Sequence, residues 1–495
     1  MLSLFAPPRI RRAKSINADR IKPFSISGSV EGHLEGMAES QNQSQHGMWS
    51  SGALFVLAAV GSAVGLGNIW KFPYITGENG GGAFLLVYLI CICLIGFPVM
   101  MAEIMLGKQG RMSPINSVLK LAHENNRSSK WSLIGWAGMV GGIIILSFYA
   151  VIAGWISAYI YQLFSGAFQG ADGGATGEAF KKFTDSPAQV LLWFTLFMAV
   201  TIFVVARGVN KGLEIAIRIC MPLIFVLLLV MLVYGILQGG FWDGFKYMFH
   251  VDFSKLELNG LLVAMGHAFF TLSIGMGAIM AYGAYMPQRE SVKSAVSVIV
   301  IVDTLVALVA GLAIFSIVYA HGMSPSDGPG LLFVTAPVAF GNLPLGSIFG
   351  GLFFLFVAFA AFTSAISLTE PAIAYFVEEM NARRWVVALV IGAITWVLGV
   401  GSVFSFNLWS DFQPIFGWTI FDIFNKLTQW FFLPLGGLAI AVFVGFFLPW
   451  QKVWDYLEIK SQWARYVWVA LISVVAPISI LVVFALTIVQ HFAGG

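Results

Sequence analysis

The chain of 495 residues is 58% hydrophobic and only 10% charged, with a formal net charge of +3. Soluble domains carry about 25% charged residues, so this composition excludes a water-soluble globule and indicates a polytopic membrane protein. All three cysteines lie in apolar segments, and Cys91 and Cys93 do not share a helix face, which argues against a metal site or a disulfide.

The first 48 residues form a polar tail with six basic residues and no apolar core long enough for a signal peptide. We expect residues 1–48 to be a disordered cytoplasmic tail. Met37 opens the stretch MAESQNQSQHGMWSS and is a candidate natural start, which would leave residues 1–36 outside the native protein.

Eleven apolar runs after the tail are long enough to cross a membrane, which takes about twenty residues each. They lie near 50–72, 82–106, 132–164, 189–206, 212–237, 258–286, 293–320, 346–377, 385–404, 422–448 and 465–489. We predict a ten-helix transporter core over 49–450, followed by a linker and an eleventh transmembrane helix over 451–495.

Basic residues are distributed unevenly between the two sides of this topology. If the N-terminus lies inside, the inner connections hold fifteen lysines and arginines, the tail adds six, and the outer side keeps six. Positively charged loops favour the cytoplasmic side, so we expect a cytoplasmic N-terminus in the inner (plasma) membrane of the cell. An odd number of spans then places the C-terminus outside.

The first apolar run is interrupted by Gly61, Gly65 and Gly67. Each glycine is disfavoured in a helix interior by about 1 kcal/mol, so the pattern predicts a break in the span. Backbone groups freed at bilayer depth cost several kcal/mol each unless a polar group meets them, so broken spans occur where they line a cavity or hold a ligand. The alternative is that these glycines only let helices pack closely.

A second interrupted segment, FTLSIGMGAIMAYG at 270–283, contains Gly275 and Gly277. Five spans lie from the first broken helix up to this one, so the sixth span enters from the opposite face. Two inverted five-helix halves, with helices 1 and 6 broken at the midplane, are typical of secondary transporters. The pair of breaks therefore favours an all-α transporter with an inverted 5+5 repeat.

The segment 323–345 is semi-apolar and contains four prolines. Its position between two spans on the outer side predicts a loop that folds back as a lid. An ordinary irregular loop is the alternative.

These features resemble the neurotransmitter:sodium symporter family, and in particular its bacterial amino-acid-transporting branch with the leucine-transporter-type fold. The matching stretches are GSAVGLGNIWKFPY with ENGGGAF at 61–84, FYAVIAGW in the third span, FFTLSIGMGA at 269–278, AFTSAISLTEP at 361–371 and PLGG at 434–437. The resemblance covers residues 46 to about 490 and implies sodium-coupled transport by alternating access.

Two sodium ions and no organic cofactor are implied by this resemblance. An alkali cation needs about five or six hard oxygen ligands, which unwound backbone, hydroxyls and amides can supply. The first sodium site would use Ala63, Asn68, Thr271 and Asp303. The second would use Gly61, Val64, Ala360, Thr363 and Ser364. Outside this motif, Thr363 and Ser364 could simply bond back to carbonyls of their own helix.

Asp303 lies in the apolar run SVIVIVDTLVALVAG, where an unpaired carboxylate is very costly, so it is a candidate functional residue. Animal members of the family offset surplus positive charge with chloride, whereas Ala307 lacks the hydroxyl that they use for the anion. We therefore expect chloride-independent uptake, with Asp303 supplying the negative charge. His267 is either a hydrogen-bonded wall of the cavity or a proton carrier.

Gly65 stands where monoamine-transporting relatives carry an aspartate that pairs with an amine. Without that acid, backbone N–H groups at the start of a half-helix are suited to a carboxylate, so the ligand is expected to be an amino acid. The carboxylate would meet Leu66, Gly67 and Tyr149. The ammonium would meet the carbonyls of Ala63, Phe270, Thr271 and Ser273.

The side-chain pocket would be lined by Ile145, Phe270, Ser273, Met276 and Leu368. These residues are apolar and fairly roomy, and Met276 is adaptable, so we expect a neutral, hydrophobic or aromatic L-amino acid. Taken singly, each of them could equally be core packing.

The gates depart from the family pattern. On the outside Lys71 replaces an arginine, and Asn425 stands where an acid is expected, with Asp422 one turn earlier. Lysine does not form a bidentate pair, so the outer gate could be weaker or could use Asp422 instead of Asn425. The inner gate would comprise His46, Trp49, Tyr285 and Glu378, with His46 where an arginine is usual.

The expected function is symport of sodium and an amino acid across a lipid bilayer, with no nucleic-acid partner and no protein partner that the sequence identifies. The alternatives are sodium-coupled uptake of another small zwitterion or osmolyte, and a sodium-dependent sensor that does not translocate. A membrane enzyme is disfavoured, because the spans hold no HExxH, GxSxG or paired-acid motif.

Overall fold

The computed structural model describes residues 47–320, 322 and 330–492. The expectations for residues 1–46, including the start at Met37 and the gate residue His46, lie outside the described residues. So do the first residues of the predicted lid, 323–329. The described part of the chain is almost wholly helical, apart from loops and two isolated β-bridges, which confirms the predicted all-α class.

The helices are numbered here in chain order. They are α1 Gly52–Ala63, α2 Gly67–Glu78, α3 Gly82–Gly110, α4 Pro114–Glu124, α5 Ser129–Phe164, α6 Gly173–Thr184, α7 Pro187–Ala206, α8 Val209–Leu237, α9 Phe241–Phe249, α10 Leu258–Thr271, α11 Ala278–Ala284, α12 Val292–Ala320, α13 Leu331–Asn342, α14 Gly346–Met380, α15 Arg384–Phe404, α16 Ile420–Phe447, α17 Trp450–Tyr456 and α18 Gln462–Val489.

Nine helices in the described residues are long and apolar enough to cross a membrane, and the bent pair α1 and α2 brings the number to ten. The predicted polytopic architecture is therefore confirmed. Helix α10 has only 14 residues and would need α11, across a break, to complete a span. The count of eleven spans stays a prediction.

The first predicted break is present in the structure. Helix α1 begins after Ser51, whose side chain accepts the N–H of Leu54, and it ends at Ala63, because Val64 adopts an extended conformation with ψ of 102°. The chain resumes as α2 at Gly67, bent by 49° from α1. The break occurs within the glycine-rich stretch that predicted it.

The second break separates α10 from α11. Ser273, Gly275 and Gly277 have φ values of 54°, 81° and 73°, a left-handed backbone that glycine adopts easily and serine does not. The N–H of Gly275 donates to the carboxylate of Glu103 on α3 at 2.9 Å, which satisfies one of the freed groups. The predicted interruption at Gly275 and Gly277 is therefore observed, and Glu103 is a support that the sequence analysis missed.

The described part of the predicted lid contains α13 and is therefore not wholly irregular. Phe333 in α13 is 1% exposed. Its ring lies 5.2 Å from that of Phe180 and 5.6 Å from that of Trp155, measured between centroids. Helix α13 therefore packs into the helical body around Phe333, whereas Leu345 at the end of the segment is exposed.

Helices α3 and α11 approach so closely that their backbones touch. A Cβ on Gly107 would lie 1.9 Å from the carbonyl oxygen of Met280, and a Cβ on Gly283 would lie 2.7 Å from that of Ile104. Small residues at such contacts let transmembrane helices pack backbone to backbone. This contact fixes α11, and with it one side of the second break.

Gly107→Ala is expected to lower the melting temperature of the purified protein by at least a few degrees. The added methyl cannot fit without moving α3 away from α11, and overpacking of this kind costs about 1–3 kcal/mol. Gly266→Ala in α10 is the matched control, since its Cβ would meet no described heavy atom within 4 Å. Thermal unfolding should show no loss for Gly266→Ala, and equal melting temperatures for the two variants would contradict the described contact.

Candidate functional site

A small cavity of about 20 Å³ lies between the two breaks. Nine of the ten residues predicted to bind the substrate line it, namely Ala63, Leu66, Gly67, Ile145, Tyr149, Phe270, Ser273, Met276 and Leu368. The tenth, Thr271, instead directs its hydroxyl to Asp303. The expectation of a fairly roomy pocket is wrong for this conformation, because the side chains close on one another and leave about 20 Å³. The walls must move apart to admit an amino acid.

The backbone at the start of α2 presents N–H groups towards this cavity. The N–H of Leu66 lies 3.5 Å from the hydroxyl oxygen of Tyr149, so the two predicted carboxylate partners are adjacent. A Cβ on Gly65 would lie 2.5 Å from the Ser364 hydroxyl and 3.2 Å from the Tyr149 hydroxyl. A side chain at position 65 would therefore fit only if the Ser364 side chain moved aside.

Three of the four residues predicted for the first sodium site are joined by hydrogen bonds. The side-chain amide of Asn68 donates to Asp303 Oδ1 at 2.8 Å, and the hydroxyl of Thr271 donates to Asp303 Oδ2 at 3.1 Å. The Asn68 amide oxygen accepts the N–H of Gly65 at 3.1 Å. All three residues are at most 1% exposed. The fourth, Ala63, is the last residue of α1 and precedes Gly65 by two residues.

Asp303 forms no ion pair with a basic side chain in the part of the chain that the structure describes. One carboxylate surrounded by neutral oxygens is a donor set suited to a hard cation of low charge. The described residues also contain no cluster of three or more His, Cys, Asp or Glu side chains of the kind that binds transition metals. The residues present thus fit the predicted sodium ion.

The residues predicted for the second sodium site meet where α14 passes the end of α1. The hydroxyl of Ser364 reaches the carbonyl oxygen of Val64 at 3.5 Å. A Cβ on Gly61 would touch Thr363 Cβ at 3.4 Å. The hydroxyl of Thr363 donates back to the carbonyl of Ala360 at 3.0 Å, as the plain alternative expected, whereas Ser364 crosses to the neighbouring element. All five predicted residues therefore lie together.

A larger cavity of about 440 Å³ lies on the other side of Phe270 and Tyr149. Phe270, Tyr149 and Leu66 line both cavities, so they form the partition between them. Phe333 of α13 lines the larger cavity.

The predicted outer gate is linked through a residue that the sequence analysis missed. Lys71 donates to the side-chain oxygen of Gln429 at 2.8 Å, and Gln429 donates to the side-chain oxygen of Asn425 through a short hydrogen bond. The ammonium of Lys71 also lies 4.8 Å from the ring centroid of Phe270, a cation–π contact. The spacing of Asn425 and Gln429, one helical turn apart, is the signal that could have revealed this pair.

Asp422, the other candidate for the outer gate, has a different partner. Its carboxylate accepts the N–H of Thr419 at 3.1 Å and the Thr419 hydroxyl at 2.8 Å, which forms a capping box at the start of α16. Lys71 is therefore connected to Asn425 through Gln429, whereas Asp422 caps its own helix.

Two residues of the predicted inner gate, Trp49 and Tyr285, are joined to each other and to a buried ion pair by hydrogen bonds. Trp49 is 2% exposed; its backbone N–H donates to the carbonyl of Tyr285 at 3.1 Å. The hydroxyl of Tyr285 donates to Glu370 at 2.7 Å, and Glu370 forms a buried ion pair with Arg384 of α15. The sequence analysis missed Glu370, although a carboxylate within an apolar helix is a signal for such a role.

Glu378 is held at a separate helix end. Its carboxylate accepts the backbone N–H of Ser113 at 2.6 Å and the side-chain amide of Asn116 at 2.8 Å, at the start of α4. A carboxylate at a helix N-terminus is favoured by the free N–H groups there.

Broken helices that enclose a cavity with both polar and apolar walls, in an otherwise apolar bundle, indicate a membrane transporter. Comparison with known proteins gives the family. The model of the Sodium:neurotransmitter symporter family matches residues 46–176 and 175–494. The chain belongs to this family. The family comprises sodium-coupled transporters and not enzymes, which confirms that expectation, and the chain is a sodium-dependent, multi-pass membrane transporter.

Individual relatives agree with this assignment. An uncharacterised sodium-dependent transporter of Bacillus subtilis, YhdH, is 35% identical over 439 residues, which cover 88% of this chain and 96% of that protein. A sodium-dependent transporter of Haemophilus influenzae is 30% identical, covering 90% of this chain and 98% of that protein. The crystal structure of MhsT in complex with L-phenylalanine is 41% identical with a TM-score of 0.82, covering 89% of this chain and 99% of that one.

Tyr149→Phe is expected to weaken amino-acid binding about tenfold or more, because hydrogen bonds to charged groups contribute about 1.5–3 kcal/mol. Tyr159→Phe is the matched control on the same helix, since its hydroxyl bonds the Phe333 carbonyl at 3.1 Å and does not line the small cavity. Equilibrium binding of radiolabelled L-phenylalanine in saturating sodium measures both. Equal affinities of the two variants would contradict the assigned role of Tyr149.

Proposed function

We propose that this protein imports a neutral, hydrophobic or aromatic L-amino acid together with two sodium ions, independently of chloride. The observation that carries the proposal is the meeting of the two helix breaks around one small cavity, with Asp303, Asn68 and Thr271 bonded to one another beside it. The cavity would hold the amino acid, and the polar groups around it the ions.

An amino acid fits the polar half of the cavity. The N–H of Leu66 and the hydroxyl of Tyr149 are adjacent and would bind a carboxylate. The ammonium would meet the carbonyls at the two breaks. No acidic side chain lines the cavity among the described residues, so a simple amine would find no anionic partner there and would leave the carboxylate-binding groups unused.

The apolar half of the cavity supports a hydrophobic side chain. Ile145, Met276 and Leu368 are at most 4% exposed and line this half. The solved relative MhsT binds L-phenylalanine. An apolar or aromatic amino acid is therefore the substrate class that these walls favour.

Sodium ions are co-transported cargo in this proposal. One ion would lie among Ala63, Asn68, Thr271 and Asp303, and the other among Gly61, Val64, Ala360, Thr363 and Ser364. The carboxylate of Asp303 offsets one of the two positive charges, so chloride is not required. Each net charge moved inward gains about 2.3 kcal/mol per 100 mV of membrane potential.

The gates open in turn on the two sides of the cavity. Lys71 with Gln429 and Asn425, above the Phe270 partition, would close the outer side. Trp49, Tyr285 and Glu378, together with His46, would close the inner side. The core over 49–450 would rock about the central cavity in the inner (plasma) membrane, with the tail 1–48 in the cytoplasm and 451–495 supplying the eleventh helix.

Proteoliposomes with potassium inside and sodium outside test the proposal. We expect concentrative uptake of radiolabelled L-phenylalanine under the inward sodium gradient, and uptake that exceeds the binding capacity of the protein. Collapse of the gradient with a sodium ionophore should abolish accumulation. Sodium-dependent binding without accumulation would instead indicate a sensor, and a response only to betaines or osmolytes would refute the amino-acid assignment.

Replacement of chloride by gluconate in the same assay tests the role of Asp303. Uptake by the wild-type protein should be unchanged, because the balancing charge is part of the protein. Uptake that collapses in gluconate would refute chloride independence while leaving sodium coupling intact.

A further inference from the structure

The first break leaves the carbonyl of Ser62 without its helical partner. In an unbroken helix this oxygen would accept the N–H of Leu66, four residues on, but that N–H points to the hydroxyl of Tyr149. The carbonyls on either side, of Gly61 and Ala63, are those proposed for the second and the first sodium ion. The Ser62 carbonyl therefore lies between the two ion sites but belongs to neither.

Two serine hydroxyls take the place of the missing helical bond. The hydroxyls of Ser273 and Ser364 donate to the Ser62 carbonyl at 2.9 Å and 3.1 Å. The Ser62 hydroxyl in turn donates to that of Ser367 at 2.8 Å, and Ser367 donates to the carbonyl of Ser364 at 2.8 Å. These four residues, the serine cluster, are at most 8% exposed.

The serine cluster joins three elements that the site requires. Ser62 is near the end of α1, Ser273 is in the second break, and Ser364 and Ser367 are one turn apart on α14. Ser273 lines the small cavity with a positive φ of 54°, a strained backbone that surrounding contacts must hold. The hydrogen bond from its hydroxyl to the Ser62 carbonyl is one of these contacts. Ser364 is a proposed ligand of the second sodium ion.

We propose that Ser62 and Ser367 are positioning residues that couple the second sodium site to the amino-acid pocket. This inference rests on the proposed function. Sodium would bind a lone pair of the Ser364 hydroxyl oxygen, while the same hydroxyl still donates its hydrogen bond to the Ser62 carbonyl. The ion thereby orders the Ser62 peptide, and the same carbonyl holds the hydroxyl of Ser273 in the pocket wall.

The consequence is a reciprocal coupling. If sodium tightens amino-acid binding through the serine cluster, the amino acid tightens sodium binding by the same factor. Loss of one neutral hydrogen bond in the serine cluster should reduce this factor by about three- to tenfold. Substitution of a residue that serves only the stability of the fold would weaken the binding of both ligands. It would not change the factor by which one ligand tightens the binding of the other.

The test measures binding of radiolabelled L-phenylalanine to purified protein at low and at saturating sodium, with potassium as replacement. Ser367→Ala should reduce the factor by which sodium tightens binding by about three- to tenfold, and Ser367→Thr, which keeps the hydroxyl, should restore it. Thr369→Val is the matched control, because the buried Thr369 hydroxyl on the same helix donates to the carbonyl of Ile366 at 2.7 Å and has no other partner among the described residues. It should keep the wild-type factor.

Ser62→Ala breaks the same hydroxyl pair from the other end and serves as the second variant if Ser367→Ala does not fold. The double variant should be no worse than Ser367→Ala alone, because the two residues share one bond. Additive losses, or a wild-type factor in either folded single variant, would overturn the proposal.

Sodium-dependent thermal stabilisation without any amino acid separates this inference from the substrate assignment. Ser367→Ala should need about three- to tenfold more sodium for half of the stabilising effect, whereas Thr369→Val should match the wild type. If the wild-type protein does not bind L-phenylalanine, the proposed substrate fails while this measurement still decides the role of Ser367. A wild-type sodium response in Ser367→Ala would contradict it.

Discussion

A peptide group inside a bilayer must have a hydrogen-bond partner, since each one left alone costs several kcal/mol. This chain breaks two of its helices and so frees such groups at Val64–Leu66 and at Leu272–Gly277. Some of these peptide groups have hydrogen-bond partners within the protein. The side chain of Glu103 accepts the N–H of Gly275, and that of Asn68 accepts the N–H of Gly65. The carbonyls of Gly61 and Ala63 lie at the same break and are suited to cations.

The buried carboxylate of Asp303 follows the same logic. A lone ionised carboxylate is far more costly in an apolar environment than a peptide group. Asn68 and Thr271 satisfy its oxygens but do not neutralise its charge, and the described residues form no ion pair with it. A sodium ion beside it, as proposed above, would remove that cost and would account for an acid at this position of α12. It would also link ion binding to the packing of α2, α10 and α12.

The sequence predicted the breaks well, because glycines within an apolar run are a local signal. The motif residues also predicted most of the side chains that line the cavity, because they lie on only a few elements. They did not predict its small volume, because that depends on how closely the walls pack. The sequence did not reveal Gln429, Glu103 or Glu370, since each acts through partners that are distant along the chain or one turn away on a helix whose orientation the sequence does not fix. The choice between Asp422 and Asn425 likewise depended on which face of α16 turns towards Lys71.

Hydrogen–deuterium exchange of the two breaks measures the central claim most directly. Peptides that cover 61–68 and 272–277 should exchange more slowly in sodium than in potassium, because ions at the freed carbonyls hold the unwound backbone. Addition of L-phenylalanine in sodium should slow the exchange of both peptides further. Its carboxylate would hold the amides of Leu66 and Gly67, and its binding would order the second break. Exchange that is equal in potassium, in sodium and with the amino acid would contradict the account.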